Sequence, residues 1–183
     1  PMAPFLDADR TAWYHDGVHY CLETGLMLGT SATTFAPEQT TSRAMVATIL
    51  WRLAGSPAAD GTMHFADVPQ DTWYTEAVRW ASGAGVVTGY SPEKFGPNDP
   101  ITREQLAAML WRYAQAAEYD VSAGQDTDPL AFTDASDISP WAMEAMQWAC
   151  AAGILNGTGD GSTLTPQGQA TRAQAATMLM RFC

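Results

Sequence analysis

Positive charge is scarce in this chain: nine lysines and arginines stand against 20 aspartates and glutamates, a formal charge of −11 at pH 7. That balance opposes sequence-independent attraction to phosphate backbones and anionic lipid, so nucleic acid is not an expected partner. An anionic ligand would have to be met at short range by individual arginines, because screening confines exposed charges to about 10 Å. Long apolar runs are missing as well. No stretch approaches the ~18 consecutive apolar residues of a membrane span, and no basic-then-apolar leader opens the chain, so membrane insertion is not expected. The sequence begins at Pro1 without an initiator methionine. It reads as a piece of a longer chain, from which a removed leader would leave no trace.

Cysteine is sparse too. Cys21, Cys150 and Cys183 form no metal-ligand spacing and too few pairs for a disulfide framework. Cys21 and Cys150 fall in apolar helical stretches and are expected to be buried free thiols, with Cys183 free at the frayed end. His15, His19 and His64 share no geometry implied by spacing, and Asp160-Gly161 lacks the alternating carboxylates of a calcium loop. No catalytic residue, metal site or cofactor is expected. Apolar residues, at 46% of the chain, are sufficient for a real core.

The organising feature is an internal repeat. Phe5, Asp7, Trp13, Tyr14, Gly25, Gly29, Phe35, Pro37, Arg43, Trp51 and Arg52 recur 60 positions later as Phe65, Asp67, Trp73, Tyr74, Gly85, Gly89, Phe95, Pro97, Arg103, Trp111 and Arg112. A third copy keeps Phe132, Asp134, Trp141, Gly153, Gly157, Pro166, Arg172 and Arg181, with one extra residue before Trp141 and another before Leu164. The repeats are assigned to residues 1–53, 65–113 and 132–183, together one compact domain. Linkers cover 54–64 and 114–131, the second longer, acidic and expected to be mobile.

Each repeat is expected to form two helices, because its apolar positions recur at helical spacing. The first helix carries Trp73, Ala77, Val78, Ala81 and Ala84 and stops at Gly85; its counterpart in the third repeat carries Trp141, Ala145, Met146 and Ala149 and stops at Gly153. A glycine there is the usual left-handed cap. The second helix carries Leu106, Met109, Leu110 and Tyr113, matched by Val46, Ile49, Leu50 and Leu53 and by Ala175, Met178, Leu179 and Phe182. Thr102 with Gln105, and Thr171 with Gln174, fit the capping box that opens such a helix; Ser42 is followed by Met45 and keeps half of it. Arg52, Arg112 and Arg181 close the second helices, where a cation suits the dipole.

These residues resemble the S-layer homology family, whose repeat runs from an aromatic-x-Asp start through a Trp-initiated helix, a Gly-rich turn and a Phe-x-Pro segment to a Thr-Arg-Ala-Glu helix start. The resemblance covers all three repeats. At that last motif the chain departs, with Ser42-Arg43-Ala44-Met45, Thr102-Arg103-Glu104-Gln105 and Thr171-Arg172-Ala173-Gln174. The resemblance implies a mainly α fold in which three helix-loop-helix repeats pack as a pseudo-threefold, three-pronged domain around a central helical bundle. It also implies grooves between prongs that bind the secondary cell-wall polysaccharide of Gram-positive bacteria, often through a pyruvylated amino sugar, with the motif arginine facing the groove. Closure of three units fits the residues themselves, since a two-helix unit cannot bury both apolar faces alone.

Site expectations follow. Arg43, Arg103 and Arg172 stand in a first helical turn, where the dipole disfavours a cation. Pairing with a ligand carboxylate would explain them, as would an ion pair between prongs to Asp7, Asp67 or Asp134. Trp13, Trp73 and Trp141 suit stacking on sugars, but each begins an apolar stripe, which favours the core; an exposed edge would allow both. Gly29, Gly89 and Gly157 would let a ligand approach the backbone, although a plain turn also explains paired glycines. The leading expectation is a non-catalytic anchor, extracellular at the cell wall or S-layer of a Gram-positive-type bacterium. It would be covalently continuous with a larger surface protein and bind that polysaccharide in the grooves. The alternative is a helical protein–protein interaction module that has lost glycan binding.

Overall fold

A computed structural model describes residues 2–125 and 131–183. Among the described residues there are six α-helices and no β-strand: α1 (His15–Glu23), α2 (Arg43–Leu53), α3 (Thr75–Gly83), α4 (Arg103–Ala116), α5 (Met143–Ala151) and α6 (Arg172–Phe182). Helix boundaries follow local chemistry. The first helices end before Gly25, Gly85 and Gly153, all at φ near +72°, a conformation that costs a side-chain-bearing residue about 1 kcal/mol or more. The second helices begin at oxygen caps: the Ser42, Thr102 and Thr171 side chains accept from the backbone N–H three residues on. Gln105 and Gln174 return the bond to the cap's own N–H, completing two capping boxes.

The repeats close by exchange. α1 packs on α6, α3 on α2, and α5 on α4, so each first helix lies against the second helix of the preceding repeat, and the first repeat's lies against the third's. The contact is close where small residues face it. A side chain on Gly17 would come 2.7 Å from the Thr177 Cα, and Ala77 and Ala145 hold the same place in the other two pairs, both buried. The second helices converge at their starts rather than along their lengths. There, Thr41 N–H donates to Ala170 (2.9 Å), Ala170 N–H to Ile101 (2.9 Å) and Ile101 N–H to Thr41 (2.8 Å), a closed ring of three backbone hydrogen bonds, one segment from each repeat. The core is continuous through all three units.

Two expectations need correction. The first helices begin two residues after Trp13, Trp73 and Trp141, and these tryptophans are 64%, 62% and 54% exposed. The middle of the expected stripe is buried, with Ala77, Val78 and Ala81 in the second repeat and Ala145, Met146 and Ala149 in the third, but its inward-facing start lies one residue later than expected, at the buried Tyr14, Tyr74 and Ala142, and Ala84 is exposed. Tyr14 and Tyr74 take the inward place and hold the neighbouring tryptophan edge-on, with ring centroids 5.5 and 5.0 Å apart. The cysteines are all free, but only Cys21 is buried; Cys150 is half-buried, because it follows the inward-facing Ala149, and Cys183 is exposed. Burial pushes the Cys21 thiol up to about 12, which makes it unreactive.

The linker assigned to 114–131 begins as structure: α4 runs on to Ala116, and Tyr119 stacks near Tyr113 and Phe182. The rest of that expectation falls partly on residues 126–130, outside the described residues.

Candidate functional site

The motif arginines are the most constrained cations in the molecule. Arg43, Arg103 and Arg172 are 5%, 5% and 3% exposed. Each reaches out of its own repeat. Arg43 Nε donates to the Phe95 carbonyl at 2.9 Å and Nη2 to Thr88 at 3.1 Å. Arg103 makes the same pair with Leu164 and Asn156, both at 2.8 Å. Arg172 closes the cycle on Phe35 at 2.8 Å and Leu28 at 2.6 Å. The planar guanidinium fork suits two carbonyls at once, where lysine would satisfy one. Aromatic faces add cation–π contacts: Arg43 lies 4.5 Å from the Tyr90 ring and 4.8 Å from Phe95, and Arg172 lies 4.7 Å from Phe35.

The expected ion pair with the repeated aspartates is replaced by a relay through the backbone. Asp7 accepts from Phe35 and Ala36 N–H at 2.8 and 2.7 Å, Asp67 from Phe95 and Gly96 at 2.9 and 2.7 Å, and Asp134 from Leu164 and Thr165, both at 2.8 Å. The carbonyls of Phe35, Phe95 and Leu164 are those the arginines hold. Aspartate and arginine therefore grip opposite sides of one residue and fix the segment that connects turn to second helix. Burial pushes the three carboxyls up, but their backbone N–H bonds outweigh it and hold each below the usual aspartate range. Gly29, Gly89 and Gly157 serve this same packing. A side chain at Gly29 or Gly89 would collide with the ring of Phe5 or Phe65 and with turn carbonyls, and at Gly157 with Gly161. Their missing side chains are filled by the protein itself.

Grooves lie where three repeats meet. One, of about 500 Å³, is walled by Arg43 from the first repeat, Thr88, Tyr90, Gln105 and Arg112 from the second, and Trp141 from the third. Another, of about 470 Å³, has Arg103 from the second repeat, Asn156, Gln174 and Arg181 from the third, and Trp13 from the first. The lining rotates by one repeat between them. Residues that sequence reasoning left out are the closing arginine of the second helix, the capping glutamine and Tyr90. Repetition of Arg112 and Arg181 was the available signal, but a helix-dipole role absorbs it. Tyr90 stands alone among Thr30 and Thr158 and carried none.

The electrostatics of the grooves run against those of the whole chain. Among the arginines and the lysine of the described residues, only Arg79 is ion-paired to a carboxylate, that of Glu76. Arg112 has one weak bond, 3.4 Å to Thr88 Oγ1, and Arg181 faces the amide of Asn156. Burial lowers the pKa of Arg43, Arg103 and Arg112, yet an arginine starts high enough to stay charged. Each groove thus holds two guanidinium groups without a paired carboxylate, beside an exposed indole. No helix of the described residues is long and apolar enough to cross a membrane.

Comparison with known proteins converges on the same three units. The sequence model of the S-layer homology domain family matches residues 4–45, 64–107 and 131–176. An endoglucanase of Bacillus sp. (strain KSM-635) is 34% identical over 176 residues, 96% of this chain and 18% of that protein. An amylopullulanase of Thermoanaerobacterium thermosulfurigenes is 31% identical over 169 residues, 91% of this chain and 9% of that protein. The surface-layer 125 kDa protein of Lysinibacillus sphaericus is 32% identical over 168 residues, 91% of this chain and 14% of that protein. The chain spans less than a fifth of each of these relatives, so proteins named for quite different roles share it as a module. With three copies of the domain in register with its three structural repeats, the chain belongs to the S-layer homology domain family.

Proposed function

We propose that this domain is a non-catalytic anchor that tethers a larger surface protein to the wall of a Gram-positive-type bacterium. It does so by binding a secondary cell-wall polysaccharide that carries a pyruvylated amino sugar. The observation that carries this reading is the pairing, in each groove, of two arginines from different repeats with no carboxylate partner. A ligand carboxylate supplies the missing charge, and the exposed tryptophan supplies a face for the sugar ring. Occurrence of related segments in a surface-layer protein and in proteins named as polysaccharide-degrading enzymes supports an attachment role that is independent of the attached activity.

The site residues carry unequal duties in this reading. Arg112 and Arg181 are the primary carboxylate contacts. Arg43 and Arg103 contribute the Nη1 side of a guanidinium whose other nitrogens are spent on backbone carbonyls. Trp141 and Trp13 stack on the sugar. Asp7, Asp67, Asp134 and the glycines Gly29, Gly89 and Gly157 hold the groove wall and do not touch ligand. The test is sedimentation of the domain with purified wall polysaccharide before and after chemical removal of pyruvate. Co-sedimentation that disappears with the pyruvate is expected; equal co-sedimentation with both would overturn carboxylate recognition, and none with either would overturn the anchor.

A further inference from the structure

The third position in the cycle differs from the two grooves described above. There Arg172 from the third repeat meets the turn and second helix of the first: its Nη2 donates to the Leu28 carbonyl, and Arg52 closes the helix. Trp73 stands two residues before α3, the helix packed on α2, as Trp141 and Trp13 stand before α5 and α1 at the other two positions. Two substitutions and one contact set this position apart. Where the other grooves have Gln105 and Gln174, this one has Met45. Where they have Thr88 and Asn156, it has Leu28, which is 57% exposed. And where the Nη1 of Arg43 and Arg103 has no bond among the described residues, Arg172 Nη1 is covered by Met45 Sδ at 3.1 Å.

The capping box gives these exchanges their chemical weight. Gln105 and Gln174 accept from the Thr102 and Thr171 N–H groups through their amide oxygens, at 3.1 and 3.3 Å. What remains of each carboxamide is an NH2 group held beside the arginines as a donor. Methionine at this place offers no donor and a weakly accepting sulfur instead. The first repeat therefore loses an amide donor and a polar turn side chain, and Arg172, the third-repeat arginine that reaches this position, loses its remaining free nitrogen to Met45. Arg52 is left, with a bond to the Leu26 carbonyl at 3.2 Å.

We infer that only two of the three inter-repeat positions bind the acidic sugar, and that Met45, with Leu28, is the specificity-determining residue that closes the third. This rests on the anchor reading and deepens it: the domain is divalent toward its polysaccharide. Divalence suffices to convert modest single-site contacts into tight retention on a repeating polymer, since the second contact is made at high effective concentration.

The experiment is calorimetric titration of the whole domain with a monovalent pyruvylated amino-sugar fragment. Wild type is expected to bind two per chain and M45Q/L28T three. In an R112A/R181A background, binding is expected to vanish, and adding M45Q/L28T is expected to restore a single site. M45Q regains half a capping box, so its melting temperature should not fall, and melts of every variant report folding separately. One or three sites in wild type, or a count unchanged by M45Q/L28T in a folded protein, overturns this inference alone. Absence of binding by every protein overturns it together with the anchor reading.

Discussion

Arg103→Ala tests whether the motif arginine is first of all a structural clamp. An arginine in a first helical turn contributes little to helix stability, and on that ground alone the variant would fold as wild type does. The structure argues otherwise. The side chain removed is nearly buried and donates 2.8 Å hydrogen bonds to Leu164 and Asn156 of the next repeat. A hydrogen bond from a charged donor contributes roughly 1.5–3 kcal/mol, and a buried acceptor left unpaired costs about 1–3 kcal/mol. The Asn156 carbonyl borders the groove and can be rehydrated, whereas the Leu164 carbonyl is enclosed. Counting one full loss and one partial loss gives about 3 kcal/mol. For a domain of this size each kcal/mol moves the melting temperature by roughly 2–4 °C, so a fall of about 6–12 °C is expected. Arg103→Lys keeps the charge but not the fork and is expected to recover only part of it. Calorimetric melts at neutral pH, cross-checked by urea titration, are the assay. A fall of less than about 2 °C for Arg103→Ala would refute the clamp.

Three further outcomes follow from the same geometry. Arg112→Ala removes a groove cation with one weak bond, so it is expected to weaken polysaccharide binding about 10-fold while leaving the melt within about 2 °C of wild type; equal damage to both would contradict the division of labour between the two arginines. Thr41 Oγ1 is buried without a partner, and Thr41→Val, which keeps the shape and removes the hydroxyl, is expected to stabilise the domain by about 1 kcal/mol in chemical denaturation; a loss would mean that a partner satisfies the hydroxyl. The lowered pKa values of Asp7, Asp67 and Asp134 mean that their stabilising contribution is present above the unfolded-state value and is lost as pH falls through the folded-state values. Stability should therefore decline below roughly pH 4, and D7N/D67N/D134N should be less stable at pH 7 with a shallower decline in acid, an unchanged acid slope being the contrary result.

The local chemistry of this fold is legible in the chain, and its exchange between repeats is not. Gly85, Thr102 and Gln105 announce a helix end and a helix start because capping satisfies backbone groups within three or four residues. Three-unit closure follows from apolar faces too large for a single unit. The partner of each arginine does not follow, because Arg43 and Arg103 hold the same place in the repeat, just after a helix cap, and nothing local to either names the repeat it grips. The tryptophans mislead for a physical reason: Trp13 and Tyr14 are both apolar enough to begin a stripe, and only packing decides that the tyrosine turns inward. Met45 illustrates the same limit. Its defect is visible as a broken capping box in the first repeat, but its effect falls on the arginine of the third, Arg172, rather than on Arg43.

The ring of exchanged helices has a consequence for the order in which the chain folds. Two of its three helix pairs, α2 with α3 and α4 with α5, join segments that follow one another along the backbone, and closing those loops costs little entropy. The pair α1 and α6 joins segments at opposite ends: Cys21 Sγ reaches the Ala176 carbonyl across 155 positions. Closure entropy grows only logarithmically with that distance, but it must be met before the contact stabilises anything, so this pairing belongs late in folding. Moving the covalent break should therefore change the route more than the destination. A circular permutant that ties Cys183 to Met2 and opens within residues 54–64 would keep every helix pair of the native ring while making α1 and α6 neighbours, and α2 and α3 the last to meet.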